Sequence, residues 1–516
     1  MPFRQRNVRH ILILLLGGGV LAVVYISLAS YIEHAIEEKL VSANGKSSSI
    51  SVNLLTRSLH FKDFEIFPSQ EFPVSLRIKH VNLRGVHLYA LLVNKKLVIT
   101  SIEADSGYLL YHKSKTMEKV QPHSPPRKLE TVTVQHLSFI NLVNKVTADT
   151  VVTFSSVVNC QANGVKFEID SGKLIYEIST LEGSVKEINF TQQEAMYRVT
   201  IDQVRYSSKQ QKITLDSLLL IPVYDKFEFA HQKEEQVGRI NLSVPQLTIE
   251  GISLDEIIDT AFTASKIEIN SFDLYSFKDK RVPFLRTKHI PLPMESFQEL
   301  EYSITVDSLI VRESRVRLEE ISENGAEIGV ATIDHINAAC GLITNRHQKE
   351  TPPYTVLKAS GVLMGEGKIN AVFSLPLDDS PTYLTTGSIT DFPFTKLNPA
   401  IEGLRVRIES GHINEMKFDF YFTDFQSIGT MELDYQDLRI IGLKKNKDGA
   451  SDFKTAIINA VLKNNKDGTS PRAKRAGTIN IERDRRKYIF NIWWKSILDG
   501  LRSAILGADK VQHQRK

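Results

Sequence analysis

The 516-residue chain holds only two cysteines, Cys160 and Cys340, far apart in sequence. So sparse a pair makes no disulfide framework and no zinc site, and reads best as two small buried residues in strands. The net charge of +4 is small for this length. That removes the bulk basic character of a nucleic-acid binder. Beyond residue 30 no stretch is long and apolar enough to span a bilayer. Catalytic patterns are missing as well. There is no HExxH pair and no GxSxG elbow. In Gly365-Glu366-Gly367-Lys368 the Ser/Thr of a phosphate loop is replaced by Ile369, and the spacing from Gly361 is wrong, so Gly365 reads as a turn glycine between strands. Glu33, His34, Glu37 and Glu38 share helical spacing but read as solvated residues. The expectation is no enzyme, no cofactor and no metal.

What is present begins with Ile11–Ser30, an uncharged and mostly apolar run of twenty residues. As a helix it would span roughly 30 Å, the thickness of a hydrocarbon core. Arg4, Arg6 and Arg9 precede it, while Glu33, Glu37 and Glu38, opposed only by Lys39, follow it. Positive flanks stay in the cytoplasm, so the bulk of the chain is expected outside it. Ser27-Leu28-Ala29 would serve as a signal-peptide cleavage site. Against cleavage, the run is long, and helical spacing continues through Ile32, Ile36 and Leu40.

From Ile50 to about Leu443 the dominant signal is period two. Its cleanest case is Ile413–Thr423, where Met416, Phe418, Phe420 and Phe422 point one way and Lys417, Asp419 and Tyr421 the other. Lys166–Asp170, Leu174–Ile178, Arg239–Val244, Ser303–Val311 and Arg315–Leu318 repeat the pattern. Asn163-Gly164, Ser171-Gly172, Asn324-Gly325 and Ser410-Gly411 read as turns between strands. Helical patterns are few: one after Ser253 through Ile257, Ile258, Ala261 and Phe262, and one after Ser451. Lys113–Lys128 and Lys278–Pro293 carry Pro and charge and read as loops. Strands with one apolar face must bury it, and too few helices exist to cover them. The expected fold is mostly β: an elongated, curved antiparallel sheet or groove with few short helices.

The last segment is different. Arg472, Lys474, Arg475, Arg483, Arg485, Arg486 and Lys487 form the densest basic region, followed by YIFNIWWKSILDGLRSAIL. At 100° per residue, Phe490, Trp493, Trp494, Ile497, Leu498, Leu501, Ala504 and Ile505 fall on one face. Asn491, Lys495, Asp499, Arg502 and Ser503 fall on the other. A basic amphipathic helix carrying both tryptophans of the chain fits a membrane interface, with Arg485, Arg486, Lys487, Trp493 and Trp494 as contacts. It fits equally a helix that closes one end of the β-body.

Several segments resemble the AsmA-like family of envelope proteins in double-membraned bacteria. Ile50–Leu59 followed by Phe61–Ile66 looks like that family's opening strand pair. Phe277–Pro283, Val306–Leu309 and Arg317–Glu320 resemble its middle region. The strongest likeness runs from Gly361 to Leu443, through Gly361–Gly367, Gly387–Phe392, Leu397–Ala400, Gly411–Ile413 and Asp434–Leu438. The resemblance implies a single-pass inner-membrane anchor, a cytoplasmic N-terminus and a β-rich body in the periplasm. It also implies kinship with bridge-like proteins whose apolar β-groove carries lipid. On this basis the chain divides into a cytoplasmic tail (1–10), a transmembrane helix (11–30) and a juxtamembrane helix (31–44). An N-terminal β-rich region (45–300) and an AsmA-like β region (301–445) follow. A helix and linker (446–475) and a basic amphipathic helix and tail (476–516) complete it. The expected function is binding or transfer of phospholipid in envelope homeostasis, with membrane and other envelope proteins as partners and no nucleic acid. Met416, Phe418, Phe420 and Phe422 are its candidate lipid-facing residues. The alternative is a non-enzymatic scaffold or assembly factor that binds other envelope proteins through its β-body, for example by strand addition.

Overall fold

The computed structural model describes residues 24–42, 44–68, 74–87, 96–113, 131–148, 151–170, 173–191, 196–253, 261–285, 287–323, 328–346, 351–378, 380–401, 406–442 and 472–506. Most of them are strand. Chain contacts divide the molecule into two units, Met1–Gln193 with Ile201–Lys209, and Glu194–Thr200 with Gln210–Lys516. The boundary expected at residue 300 falls inside the second unit.

The first unit opens with helix α1 (residues 24–42). No helix among the described residues is long and apolar enough to cross a membrane. Residues 11–23 of the expected anchor lie outside the described residues. Helix α1 meets the sheet through Glu33, whose Oε1 accepts the Val52 amide at 2.8 Å. Nine strands follow: β1 (Gly45–Lys46), β2 (Ser49–Asn53), β3 (Ser58–Ile66), β4 (Val74–Arg84), β5 (Lys96–Lys113), β6 (Thr131–Ala148), β7 (Val151–Asp170), β8 (Lys173–Glu177) and β9 (Thr180–Thr191). Strands β5, β6 and β7 run 18, 18 and 20 residues, about 60 Å each. Strand β7 is longer than the turn signals suggested, because Gly164 lies inside it at φ +61° rather than in a turn. Glycine supplies the left-handed backbone of an interior irregularity there. Pairing is antiparallel except between β5 and β6, which run parallel. A parallel pair needs a long crossover; residues 114–130, most of the segment read as a loop after Lys113, lie outside the described residues.

Strand β10 (Tyr197–Ser207) lies at the division between the units. The second unit continues with β11 (Lys212–Pro222), α2 (Glu228–Lys233), β12 (Gly238–Glu250), β13 (Ala261–Ala264), β14 (Lys266–Asn270), β15 (Asp273–Asp279), α3 (Pro293–Gln298), β16 (Ser303–Val306), β17 (Leu309–Ile321), β18 (Ile328–Cys340) and β19 (Ile343–Thr344). Then come β20 (Tyr354–Leu363), β21 (Gly367–Pro376), β22 (Tyr383–Pro393), α4 (Asn398–Ile401), β23 (Val406–Phe422), β24 (Gln426–Gly442), β25 (Ala473–Glu482) and α5 (Ile489–Leu506). Strands β14 and β15 lie end to end, both antiparallel to β12 and both parallel to β17. From β17 to β25 each neighbour is antiparallel. The all-antiparallel expectation is thus corrected to a mixed sheet.

Other expectations shift in detail. Ala261 and Phe262, read as helical, lie in β13, which pairs parallel with β16 in a separate three-stranded sheet. Ser303–Val311 is two strands in two sheets. Gly411, read as a turn, is inside β23 at φ +128°. Strand β25 was hidden by its basic composition, in a stretch divided between linker and helix. The helix expected after Ser451 lies outside the described residues. Gly365 does sit in the β20–β21 turn, at φ +79°.

Candidate functional site

Directly opposed residues on paired strands point to the same face, so the strand registers trace what each face carries. In the first unit three apolar rows cross the sheet from β3 to β9. One holds Leu59, Leu83, Ile102, Leu137, Ala162 and Leu181. The next holds Phe61, Val81, Ala104, Phe139 and Cys160, and the third Phe64, Ile78, Gly107, Leu142, Val158 and Val185. The Phe61 and Phe64 rings meet edge to face at 5.8 Å, which puts these two rows on one side. The other side is polar: His60 pairs with Asn82, and His136 lies 2.8 Å from Asn163, whose amide donates to Thr180 at 2.8 Å.

The second unit repeats the pattern. Ile213, Ile249, Ile267, Leu309, Cys340 and Leu357 are in register from β11 to β20. Beside them run Leu215, Leu247, Ile269, Val311, Ala338 and Ala359. All but Cys340 are half-buried, and none belongs to either compact core cluster. Six strands give five spacings of about 4.8 Å, a path of about 24 Å. Both cysteines of the chain stand in such rows, both as free thiols, and burial pushes each thiol pKa up.

A line of backbone irregularities crosses the strands of each unit. Asp63, Ser106 and Asn141 have φ of 47°, 57° and 54° at adjacent levels of β3, β5 and β6. Ser217, Ser271, Glu313 and His335 have φ of 56°, 66°, 43° and 51° in the second unit. Polar side chains satisfy the amides that the ladder leaves unpaired. Asn159 Oδ1 accepts from Asn141 N at 2.8 Å, Ser314 Oγ from Phe272 N at 3.0 Å, and Asn337 Oδ1 from Glu313 N at 3.2 Å. The register shifts at some of these levels, where β6 meets β7, β17 meets β18 and β18 meets β20, and a bulge there bends its strand and sharpens its twist. Ser106, Asn141, Glu313 and His335 are exposed, whereas Ala104 and Gly107 on the apolar side are buried. Leu142 leans into the space where a Gly107 side chain would stand, 2.5 Å from its Cβ position. Small residues inside and exposed polar residues outside make the apolar face the inner side of the bend.

The four expected lipid-facing residues lie at the far end of these rows. The two rows continue through Phe373 to Phe420 and through Ala371 to Phe418. There Met416, Phe418, Phe420 and Phe422 are 2%, 6%, 2% and 0% exposed. They are core because α5 covers them: the Trp493 ring stacks 4.5 Å from Phe373 and stands edge-on to Phe422 at 6.4 Å. A ligand would have to displace α5 to reach them.

The buried face of α5 agrees with the expected one at Ala504 and Ile505, with Trp493, Ile497 and Leu501 packed against the core, and departs from it elsewhere. Ile492, Ser496, Gly500, Ser503 and Ala504 are buried, while Phe490 and Trp494 are exposed. Contact with a strand edge explains the change. Thr478 N donates to Ser503 Oγ and Asn480 N to Asp499 Oδ2, both at 2.9 Å, and Ser496 Oγ donates to Ser427 Oγ at 2.8 Å. Helix side chains thereby occupy backbone donors on the open edge of β25.

Of the basic candidates, Arg485 Nε lies 2.6 Å from Asp424 Oδ2, Arg486 Nε 2.9 Å from Asp484 Oδ1, and Lys487 Nζ 3.7 Å from Asp484 Oδ2. The Arg486 guanidinium holds the Asp484 carboxyl down at about 2. Buried Arg483 also pairs with Asp424 and donates to Ile290 O at 2.7 Å. His289, Glu295 and Asp424 lie close enough to share a metal ion. Two guanidiniums already engage Asp424, and Glu295 accepts the Leu292 amide at 2.9 Å. The group is better explained as an ionic clasp that holds residues 287–291 to the β23–β24 turn and to the segment just after β25.

No family model matches the chain, and no curated protein matches it.

Proposed function

We propose that the protein is a membrane-tethered, periplasmic β-groove protein that binds phospholipid by its acyl chains and carries or holds it in envelope homeostasis. The observation that supports this best is the set of apolar rows, in register over successive bent strands and half-open along β11–β20. An acyl chain of about sixteen carbons left in water costs on the order of 12 kcal/mol, so a carrier needs an unbroken apolar path. A path of about 24 Å exceeds the roughly 15 Å depth of one leaflet's hydrocarbon. The resemblance to the AsmA-like family agrees, and the run Ile11–Ser30 would supply the inner-membrane tether. The scaffold reading by strand addition loses one edge, since α5 occupies that of β25.

The test uses the full chain purified from membranes and measures bound phospholipid by native mass spectrometry. The paired substitution Leu247→Glu with Ile269→Glu should cut bound lipid at least fivefold and shift the melting temperature by only a few degrees. Phe420→Asp, in the covered core, should instead unfold the second unit, since burying a charge in place of a core ring costs more than about 3 kcal/mol. Wild-type protein without lipid, or a double variant that keeps it, overturns the reading.

A further inference from the structure

We propose that the surface around the start of α5 docks on an anionic lipid bilayer. This goes beyond the trough reading and needs no lipid within the sheet.

Three segments meet there. Residues 281–285 bring Phe284 and Leu285, and the β23–β24 turn brings Phe425. Residues 485–494 bring Tyr488, Phe490 and Trp494. Leu285, Phe425, Tyr488 and Phe490 are all at least 60% exposed, and Trp494 is 45% exposed. So dense a set of exposed apolar side chains exceeds what packing of the unit requires, although Phe490 also stands edge-on to Trp493 at 5.3 Å. Their contiguity is direct. The Arg485 guanidinium lies 5.0 Å from the Phe425 ring centre, and Arg486 and Lys487 lie 5.3 Å and 5.5 Å from that of Phe284. Leu285 and Tyr488 line one shallow hollow, in which Lys288 and Glu235 offset each other. Phe490 and Trp494, four residues apart, share one helix face.

The charge points to an anionic partner. Arg483, Arg485, Arg486, Lys487 and Lys495 stand against Glu482, Asp484 and Asp424, an excess of two positive charges. The first turn of an 18-residue helix adds its positive dipole end. Rings interleaved with cations suit the headgroup level of a bilayer, where the rings insert and the cations meet lipid phosphates. A protein groove would instead call for a continuous apolar stripe.

The chain's only tryptophans, Trp493 and Trp494, provide the probe. Trp493→Phe keeps the stacked ring and leaves Trp494 as sole emitter. With the full chain in nanodiscs, quenching of Trp494 by brominated acyl chains should be at least twofold stronger in phosphatidylglycerol than in phosphatidylcholine. Adding Arg486→Gln and Lys487→Gln should abolish the difference, as should about 0.5 M salt. No quenching in phosphatidylglycerol, or equal quenching in both lipids, overturns the proposal. So does quenching indifferent to the charge variants, which would mark lipid held elsewhere. Lipid bound at Leu247 and Ile269 is independent of each of these outcomes.

Discussion

Burial and hydrogen bonding pull in opposite directions at Glu319. Desolvation raises its pKa, but Lys226, Tyr275 and Arg317 all donate to it, and they win: the carboxyl is held at about 2. A depressed carboxylate contributes stability that is complete above its ordinary value near 4.5 and is lost as pH falls through about 2. After discounting for the partly exposed cations, the contribution is about 2 kcal/mol. Glu319→Gln should therefore lower the stability of the second unit at pH 7 by about that much and flatten its loss between pH 5 and pH 2. Calorimetric melts across that range read both effects. Gly477 is constrained by space instead. A Cβ there would lie 2.4 Å from Gly500 O and 2.7 Å from Ala504 N, backbone atoms of α5. Gly477→Val should undock the helix at a cost of about 1–3 kcal/mol, seen as a red shift of Trp493 emission. The alternation of Met416, Phe418, Phe420 and Phe422 was legible in sequence. Their role was not, because period two tells which face is apolar and says nothing of what covers it.

At the scale of elements, the long strands and the final helix differ in how openly the sequence declares them. Strands such as β23 announce themselves by alternation, yet their lengths were masked by glycine. Gly164 and Gly411 take left-handed backbone in strand interiors, where the sequence alone suggested turns. The parallel pairs were hidden for a related reason: alternation marks a strand and its faces but not its direction. The lines of left-handed residues were invisible because Asp63, Ser106 and Asn141 share no motif, only a level in the sheet. Helix α5 was plain as an amphipathic helix, but a helical wheel places apolar residues inward. Here close approach to β25 draws Ser496, Gly500 and Ser503 inward and leaves Phe490 and Trp494 in solvent.

At the scale of the molecule, two mostly-β units each present an apolar sheet face crossed by a line of left-handed residues, and in the second unit that face runs beneath α5. The composition already required this imbalance: more apolar strand face than helices to cover it. The account rests on those faces meeting acyl chains, and face-resolved photocrosslinking in cells tests it most directly. A photoreactive phenylalanine derivative at Leu247 or Leu137, in the apolar rows, should yield adducts of phospholipid mass. The same group at Gln246 or His136, one residue away on the opposite face, should yield none. Equal labelling of both faces, or no lipid adduct at either row position, would contradict the account.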